Sequence, residues 1–333
     1  MKKQLRIAVN GFGRIGRIVT RIICSERDDM EVVATNDLKI AQPDYWAYLM
    51  KYDSVHGTFK GTIEPTQDGV LVNGKEIKIF GNPDPAKCPW GALGVDVVIE
   101  ATGALTTLEK ASWHLNGGAK KVVVTAPSDA PMYIVGVNEE NYKNETVVSN
   151  ASCTTNCLAP LAKIINNKFG IETGFMTTIH AMTGSQSVVD MASPKQWRMG
   201  RAASGNIIPA PTGAAKAVGK VIPSLNGKLT GMAFRVPVLN VSSVDFTCNL
   251  RTPTTLDEIS KEIKRASENE MKMSVTYTEE EVVSSDLLGE TTCTYDSKAS
   301  MQLSPTFFKL IAWYDNERGY SRKVVELAEF VCR

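Results

Sequence analysis

The chain has 333 residues, with 37 lysines and arginines against 36 aspartates and glutamates, so its formal charge is +1. At 43% hydrophobic and 22% charged residues it has enough apolar surface to offset the ordering entropy of a compact fold, which excludes wholesale disorder. Near-zero net charge gives no long-range pull on polyanions, so nucleic acid is not required as a partner, and small molecules or small anions fit better.

Met1-Lys2-Lys3 leads straight into a strand-like segment, and no run approaches the ~20 apolar residues that span a bilayer, so neither secretion nor a membrane partner is expected. Short β-branched runs ahead of turn residues predict strands at Arg6 to Asn10, Glu31 to Asn36, Val95 to Glu100, Lys121 to Thr125 and Thr146 to Ser149. Between the first two, Ile15, Ile18, Val19, Ile22 and Ile23 recur at helical spacing over Arg14 to Ile23. Strand, helix, strand units of this kind imply a doubly wound parallel sheet. The turn pairs Asp68-Gly69 and Asn73-Gly74 within Tyr52 to Phe80 predict antiparallel ribbons inserted into that sheet.

After Asn150 the strands lengthen and alternate, at Gly174 to His180, Leu229 to Val238 and Val244 to Arg251, with a polar helix near Leu256 to Asn269. A second domain with a mixed sheet follows, and the boundaries expected are 1–150, completed by 318–333, and 151–317. Thr183 to Gly213 reads as a long functional or interface loop. Ser321 to Val331 places Val324, Leu327, Ala328 and Val331 on one face of a helix that packs back on the first domain.

Gly11, Gly13 and Gly16 form Gly-x-Gly-x-x-Gly where a strand ends and a helix begins. Gly11 permits the tight turn, Gly13 lets a pyrophosphate approach the backbone, and Gly16 allows helix and sheet to pack closely. About twenty residues on, Asp37 ends the second strand, where a carboxylate accepts from an adenosine ribose and repels a 2′-phosphate. The pattern points to NAD rather than NADP.

At the junction after Thr146 to Ser149, Ser152 is a natural N-cap and Cys153 takes the first helical position. A thiol there feels the positive helix end, and the same N–H groups suit an oxyanion, which is a nucleophile's environment; the sulfur is expected to be ionised near neutrality. Cys157, one turn on, is expected to face the interior. Cys24, Cys88, Cys153, Cys157, Cys248, Cys293 and Cys332 are odd in number and scattered, which reads as free thiols in a reducing compartment and points to the cytoplasm. With only His56, His114 and His180 beside them, no zinc-type spacing exists and no metal is expected. His180, at a strand end, is the imidazole suited to partner a thiol nucleophile.

At Asn10 to Arg17, Ser149 to Leu161, Thr212 to Pro223, Leu225 to Pro237 and Trp313 to Tyr320 the sequence closely resembles the phosphorylating glyceraldehyde-3-phosphate dehydrogenases, and the resemblance spans essentially the whole chain. It implies an α/β fold: a Rossmann-type doubly wound parallel sheet, plus an α+β catalytic domain with a mixed, mainly antiparallel sheet. It further implies a glycolytic, NAD-dependent oxidoreductase and a homotetramer. Cys153 would be the nucleophile and His180 its base, passing through a thiohemiacetal and a thioester that inorganic phosphate cleaves. Anion sites for glyceraldehyde 3-phosphate and phosphate are implied at Ser152, Thr154, Thr183, Thr212, Gly213 and Arg235. NAD contacts are implied at Arg14 and Ile15 beside the glycines, and at Asp37, Thr125 and Asn316. The sequence departs from the family pattern at Ser185 to Ser187, at Met191-Ala192, which bears on NADP exclusion, and at Pro83, where many relatives carry an arginine. Erythrose-4-phosphate dehydrogenase and a redox or RNA-binding moonlighting role are the rival readings.

Overall fold

The structure, a computed structural model, describes residues 4–290 and 293–333. It divides into two compact units, Met1–Tyr133 with Glu140–Ala151 and Ser321–Arg333, and Ile134–Glu139 with Ser152–Tyr320. Residues 134–139 therefore leave the first domain expected from sequence. Lys163 Nζ donates to the carbonyls of Gly136 and Val137, and Ser274 Oγ donates to that of Val135, which ties the segment to the second unit.

In the first unit β1 (Leu5–Asn10) and β2 (Met30–Asn36) are parallel neighbours joined by α1 (Arg14–Glu26). The apolar stripe of α1 is buried at Ile18, Val19, Ile22 and Ile23. Then come α2 (Pro43–Lys51), β3 (Ile63–Pro65), β4 (Gly69–Val72) and β5 (Lys75–Phe80). Asn73 and Gly74 have φ of 50° and 77°, the left-handed pair that a two-residue hairpin needs, and Val72 pairs with Lys75 across it. Because β5 lies parallel to β2, the ribbon extends the main sheet's edge. After β6 (Val97–Glu100) the short helices α3 (Leu108–Ala111) and α4 (Trp113–Asn116) lead to β7 (Lys121–Val124) and β8 (Val147–Ser149). The strand order β3-β4-β5-β2-β1-β6-β7-β8 puts β2 and β6 on either side of β1. The crossovers to the two sides diverge there, so a crevice opens at the carboxyl ends of these three strands.

In the second unit α5 (Cys153–Phe169) precedes β9 (Ile171–Ala181), β10 (Ile208–Pro211), α6 (Ala214–Val221), β11 (Leu229–Val236) and β12 (Ser242–Leu250). The unit continues with α7 (Leu256–Glu268), β13 (Val275–Thr278), β14 (Cys293–Ser304) and β15 (Phe307–Tyr314). The sheet order is β10-β11-β9-β12-β15-β14-β13, and among the described residues its parallel pairs are β11/β9 and β14/β13. Along β9, Met176, Thr178 and His180 are buried while Phe175 and Ile179 are exposed, so alternation delivers the histidine to the covered face. The expected loop after His180 contains β10, which prolines at 209 and 211 disguise. It is the edge strand, paired with β11, and an edge is where proline is tolerated in a sheet. The last helix, α8 (Arg318–Val331), starts where Asp315 Oδ1 accepts from the Glu317 and Arg318 amides, and from Ser321 on the chain belongs to the first unit. There Arg322 pairs with Glu26 and Glu329 with Arg27.

Candidate active site

Ser152 caps α5 as expected: its Oγ accepts from the Thr155 amide at 3.1 Å, and Cys153 takes the first helical position. Ala151, just ahead, has φ of +54°, a left-handed turn between strand and helix that aims the cap. Parallel register sets His180 on β9 directly opposite Arg235 on β11. His180 Nε2 lies 3.5 Å from Cys153 Sγ. Its Nδ1 lies 2.7 Å from both the Ala181 carbonyl and Arg235 Nη1, and Nη1 also donates to that carbonyl at 3.2 Å.

A ring nitrogen serves one of two such neighbours. When Nδ1–H donates to Ala181, the Nε2 lone pair faces the sulfur as a base; when Nδ1 accepts from Arg235, an Nε2 proton faces it instead. Burial, followed by the Arg235 charge, drives the His180 pKa down to about 4, so the ring is neutral at pH 7. Burial also pushes the Cys153 thiol up, against the pull of the Thr154 hydroxyl and the Arg235 charge. Desolvation thus works against the ionised sulfur expected from the helix end, and it is the larger of the two effects.

Tyr314 and Thr178 of this cluster are not legible as site residues in the sequence. The buried Tyr314 hydroxyl bonds Thr154 Oγ1 at 2.7 Å and Thr178 Oγ1 at 2.9 Å, and its ring meets that of His180 edge-on. Tyr314 lies within the Trp313 to Glu317 motif, beside Asn316. Asn316 Oδ1 accepts from Ser242 Oγ, which in turn accepts from the Ala181 amide, so this residue braces the strand end carrying the histidine.

Of the implied anion ligands, Thr154 is buried with its hydroxyl turned to Tyr314. Thr212 Oγ1 accepts from the Ala214 amide, and Gly213 caps α6. A hydrogen bond from Thr155 Oγ1 to the Ala214 carbonyl brings the start of α6 beside that of α5. Thr183 Oγ1 pairs with Ser185 Oγ on the loop. Arg235 Nε is buried without a partner among the described residues, a donor suited to an anion.

In the first unit a cavity of about 440 Å³ sits at the carboxyl ends of β1, β2 and β6, lined among others by Gly11, Gly13, Asp37, Pro83 and Thr102. Asp37 is anchored there, with Oδ2 accepting from the Phe12 amide and Oδ1 from the Lys39 amide, each at 2.8 Å. The N-cap of α1 is Gly13, which has no side chain to cap the helix. A Cβ on Gly13 would meet open space, whereas one on Gly16 would stand 1.9 Å from the Gly11 carbonyl oxygen. An open backbone rim, an anion-seeking helix end and a fixed carboxylate fit NAD. The Arg14 guanidinium pairs with Asp53, which turns the side chain of this first helical residue away from its own amide. Burial would raise the Asp53 carboxyl, but Arg14 and the amides of His56 and Val55 hold it at about 2. Ile15 occupies the first turn of α1, and Thr125 bonds the Glu100 carbonyl through both its amide and its hydroxyl.

A dinucleotide-type sheet in one unit, with a cysteine, histidine and arginine cluster in the other, defines the class of nicotinamide-dependent oxidoreductases. Residues 5–108 match the family description "Glyceraldehyde 3-phosphate dehydrogenase, NAD binding domain" and residues 152–316 match "Glyceraldehyde 3-phosphate dehydrogenase, C-terminal domain". The chain belongs to the glyceraldehyde-3-phosphate dehydrogenase family. Similar proteins include cytosolic glyceraldehyde-3-phosphate dehydrogenase of Chlamydomonas reinhardtii, 58% identical over 100% of this chain and 98% of the relative. Glyceraldehyde-3-phosphate dehydrogenase 3 of Kluyveromyces marxianus is 58% identical over 99% of this chain and 100% of the relative. Glyceraldehyde-3-phosphate dehydrogenase 1 of Saccharomyces cerevisiae is 56% identical, again over 99% and 100%.

Proposed function

We propose that the protein oxidises D-glyceraldehyde 3-phosphate, with inorganic phosphate and NAD, to 1,3-bisphosphoglycerate in the cytosol. The observation that carries this reading is the 3.5 Å contact between Cys153 Sγ and the neutral ring of His180, whose other nitrogen meets Arg235. As Sγ bonds the aldehyde carbon, the thiol proton passes to His180 Nε2 and on to the former carbonyl oxygen, giving a thiohemiacetal. The amides that open α5 face the developing oxyanion. Bound NAD supplies the hydride acceptor. His180 takes the thiohemiacetal hydroxyl proton as the thioester forms, and returns one to sulfur after a phosphate oxygen attacks the acyl carbon and the C–S bond breaks. We assign the anion sites to Arg235, the cation of the cluster, and to the hydroxyls of Ser152, Thr183 and Thr212 and the Gly213 end of α6. On the dinucleotide side, Gly11, Gly13 and Asp37 are the contacts we assign, with Arg14 and Ile15 contributing their amides. Thr125 and Asn316 are assigned to the nicotinamide end.

A homotetramer fits the exposed apolar side chains of the loop after β9, where Val188 is 80% and Trp197 84% exposed, and the uncovered sheet residues Phe175 and Ile179. A second copy of the chain is the partner that would bury them. The test is NADH formation from the triose phosphate with and without inorganic phosphate: turnover should require phosphate, and Cys153→Ser should lower kcat by at least about a thousandfold with NAD affinity kept. Near-wild-type turnover in that variant, or a clear kcat/KM preference for erythrose 4-phosphate, would overturn the assignment.

A further inference from the structure

The carboxylate of Glu100 and the imidazole of His114 are sealed in the first unit, 1% and 0% exposed, and take no part in the chemistry above. Trp90 Nε1, which can only donate, lies 3.2 Å from His114 Nδ1. That nitrogen therefore accepts, and the ring proton sits on Nε2, 2.9 Å from Glu100 Oε2. Asn10 Nδ2 donates to the same oxygen at 2.6 Å, while the Thr102 amide at 2.8 Å and its hydroxyl donate to Oε1. From Asn10 the chain of bonds continues: Oδ1 accepts from Asn36 Nδ2, and Asn36 Oδ1 accepts from the Asn82 amide. Asn10, Asn36, Asn82 and Thr102 all line the dinucleotide cavity.

A buried carboxylate with this many donors is seldom a source of net stability, since apolar packing of equal volume does as well. Its effect here is geometric. It fixes which way the Asn10 amide points and where the Thr102 backbone stands, and both are cavity walls. We propose that Glu100 and His114 are positioning residues for NAD, holding the polar floor of the pocket in its binding arrangement through Asn10 and Thr102. This rests on the NAD reading above.

The test measures NAD affinity calorimetrically, and KM for NAD against kcat, on the full-length protein. His114→Leu strands both Trp90 Nε1–H and one side of Glu100, and Glu100→Gln puts an amide donor among donors. Each should raise Kd and KM for NAD about five- to twentyfold, with kcat within about twofold. His114→Gln, whose amide accepts from Trp90 and donates to Glu100, should recover most of the loss. In wild type, NAD should move the imidazole NMR signal of His114, a readout independent of whether the variants fold. Folded variants with wild-type Kd, a Gln variant no better than Leu, or an unmoved His114 signal on NAD binding each overturn the proposal alone. Wild-type protein that binds no NAD overturns the proposed function with it.

Discussion

Arg235 sits against His180 Nδ1, so Arg235→Gln should raise the imidazole's pKa, and the size of the rise separates charge from burial. A unit charge about 4 Å away at an effective dielectric of about 20 is worth ~4 kcal/mol, or about three pH units. The whole descent of His180 is from 6.5 to about 4, and burial is its larger cause. The charge is therefore screened well below that ceiling, and its removal should lift the midpoint by about one pH unit. The chain has only three histidines, so 13C-labelled histidine yields three titrations, with His180→Asn assigning one. Because the folded pKa lies below the unfolded one, His180 adds stability that is fully present above pH 6.5 and disappears as pH falls toward 4. The amount is about 3 kcal/mol, which His180→Asn should remove from the acid limb of urea-unfolding curves. A wild-type midpoint near 6.5, or one that falls when Arg235 is removed, would refute the reasoning.

The glycine turn separates two roles that one substitution cannot. Gly13→Ala has room for its methyl group and ordinary extended φ, so the melting temperature should hold within about 2 °C while KM for NAD rises about tenfold or more; Gly16→Ala, driven into the Gly11 carbonyl, should cost about 3 kcal/mol in denaturant unfolding. Ala151→Gly loses a buried methyl group worth ~0.8 kcal/mol but relieves left-handed strain of ~1 kcal/mol, so it should unfold within about 0.5 kcal/mol of wild type. Ala162→Gly, equally buried but within α5, should cost about 2 kcal/mol in the same curves. Asp37→Gly should raise the NADP-to-NAD ratio of kcat/KM about tenfold, at a stability cost of ~1 kcal/mol from the orphaned Phe12 amide. An unchanged ratio would move cofactor discrimination elsewhere.

What could be read along the chain was what the backbone must do locally. A strand that turns into a helix over bound phosphate needs glycines at fixed offsets, and a helix that presents a cysteine at its first position needs a cap before it; Gly11 to Gly16 and Ser152 to Cys153 are those devices. The partners that tune the site are remote. Arg235 meets His180 through a parallel strand pairing, and Tyr314 meets Thr154 across 160 positions. Glu100 meets Asn10 across 90. Each pairing depends on register between distant strands, on which short-range periodicity carries no information. The same asymmetry holds for the Cys153 thiol. The helix end that lowers the Cys153 pKa is written in neighbouring residues, whereas burial raises it, and the remote side chains around this helix start stand on β9 and β15. Electrostatic expectations drawn from sequence are thus biased toward the charged form wherever the local dipole is legible and the desolvating walls are not.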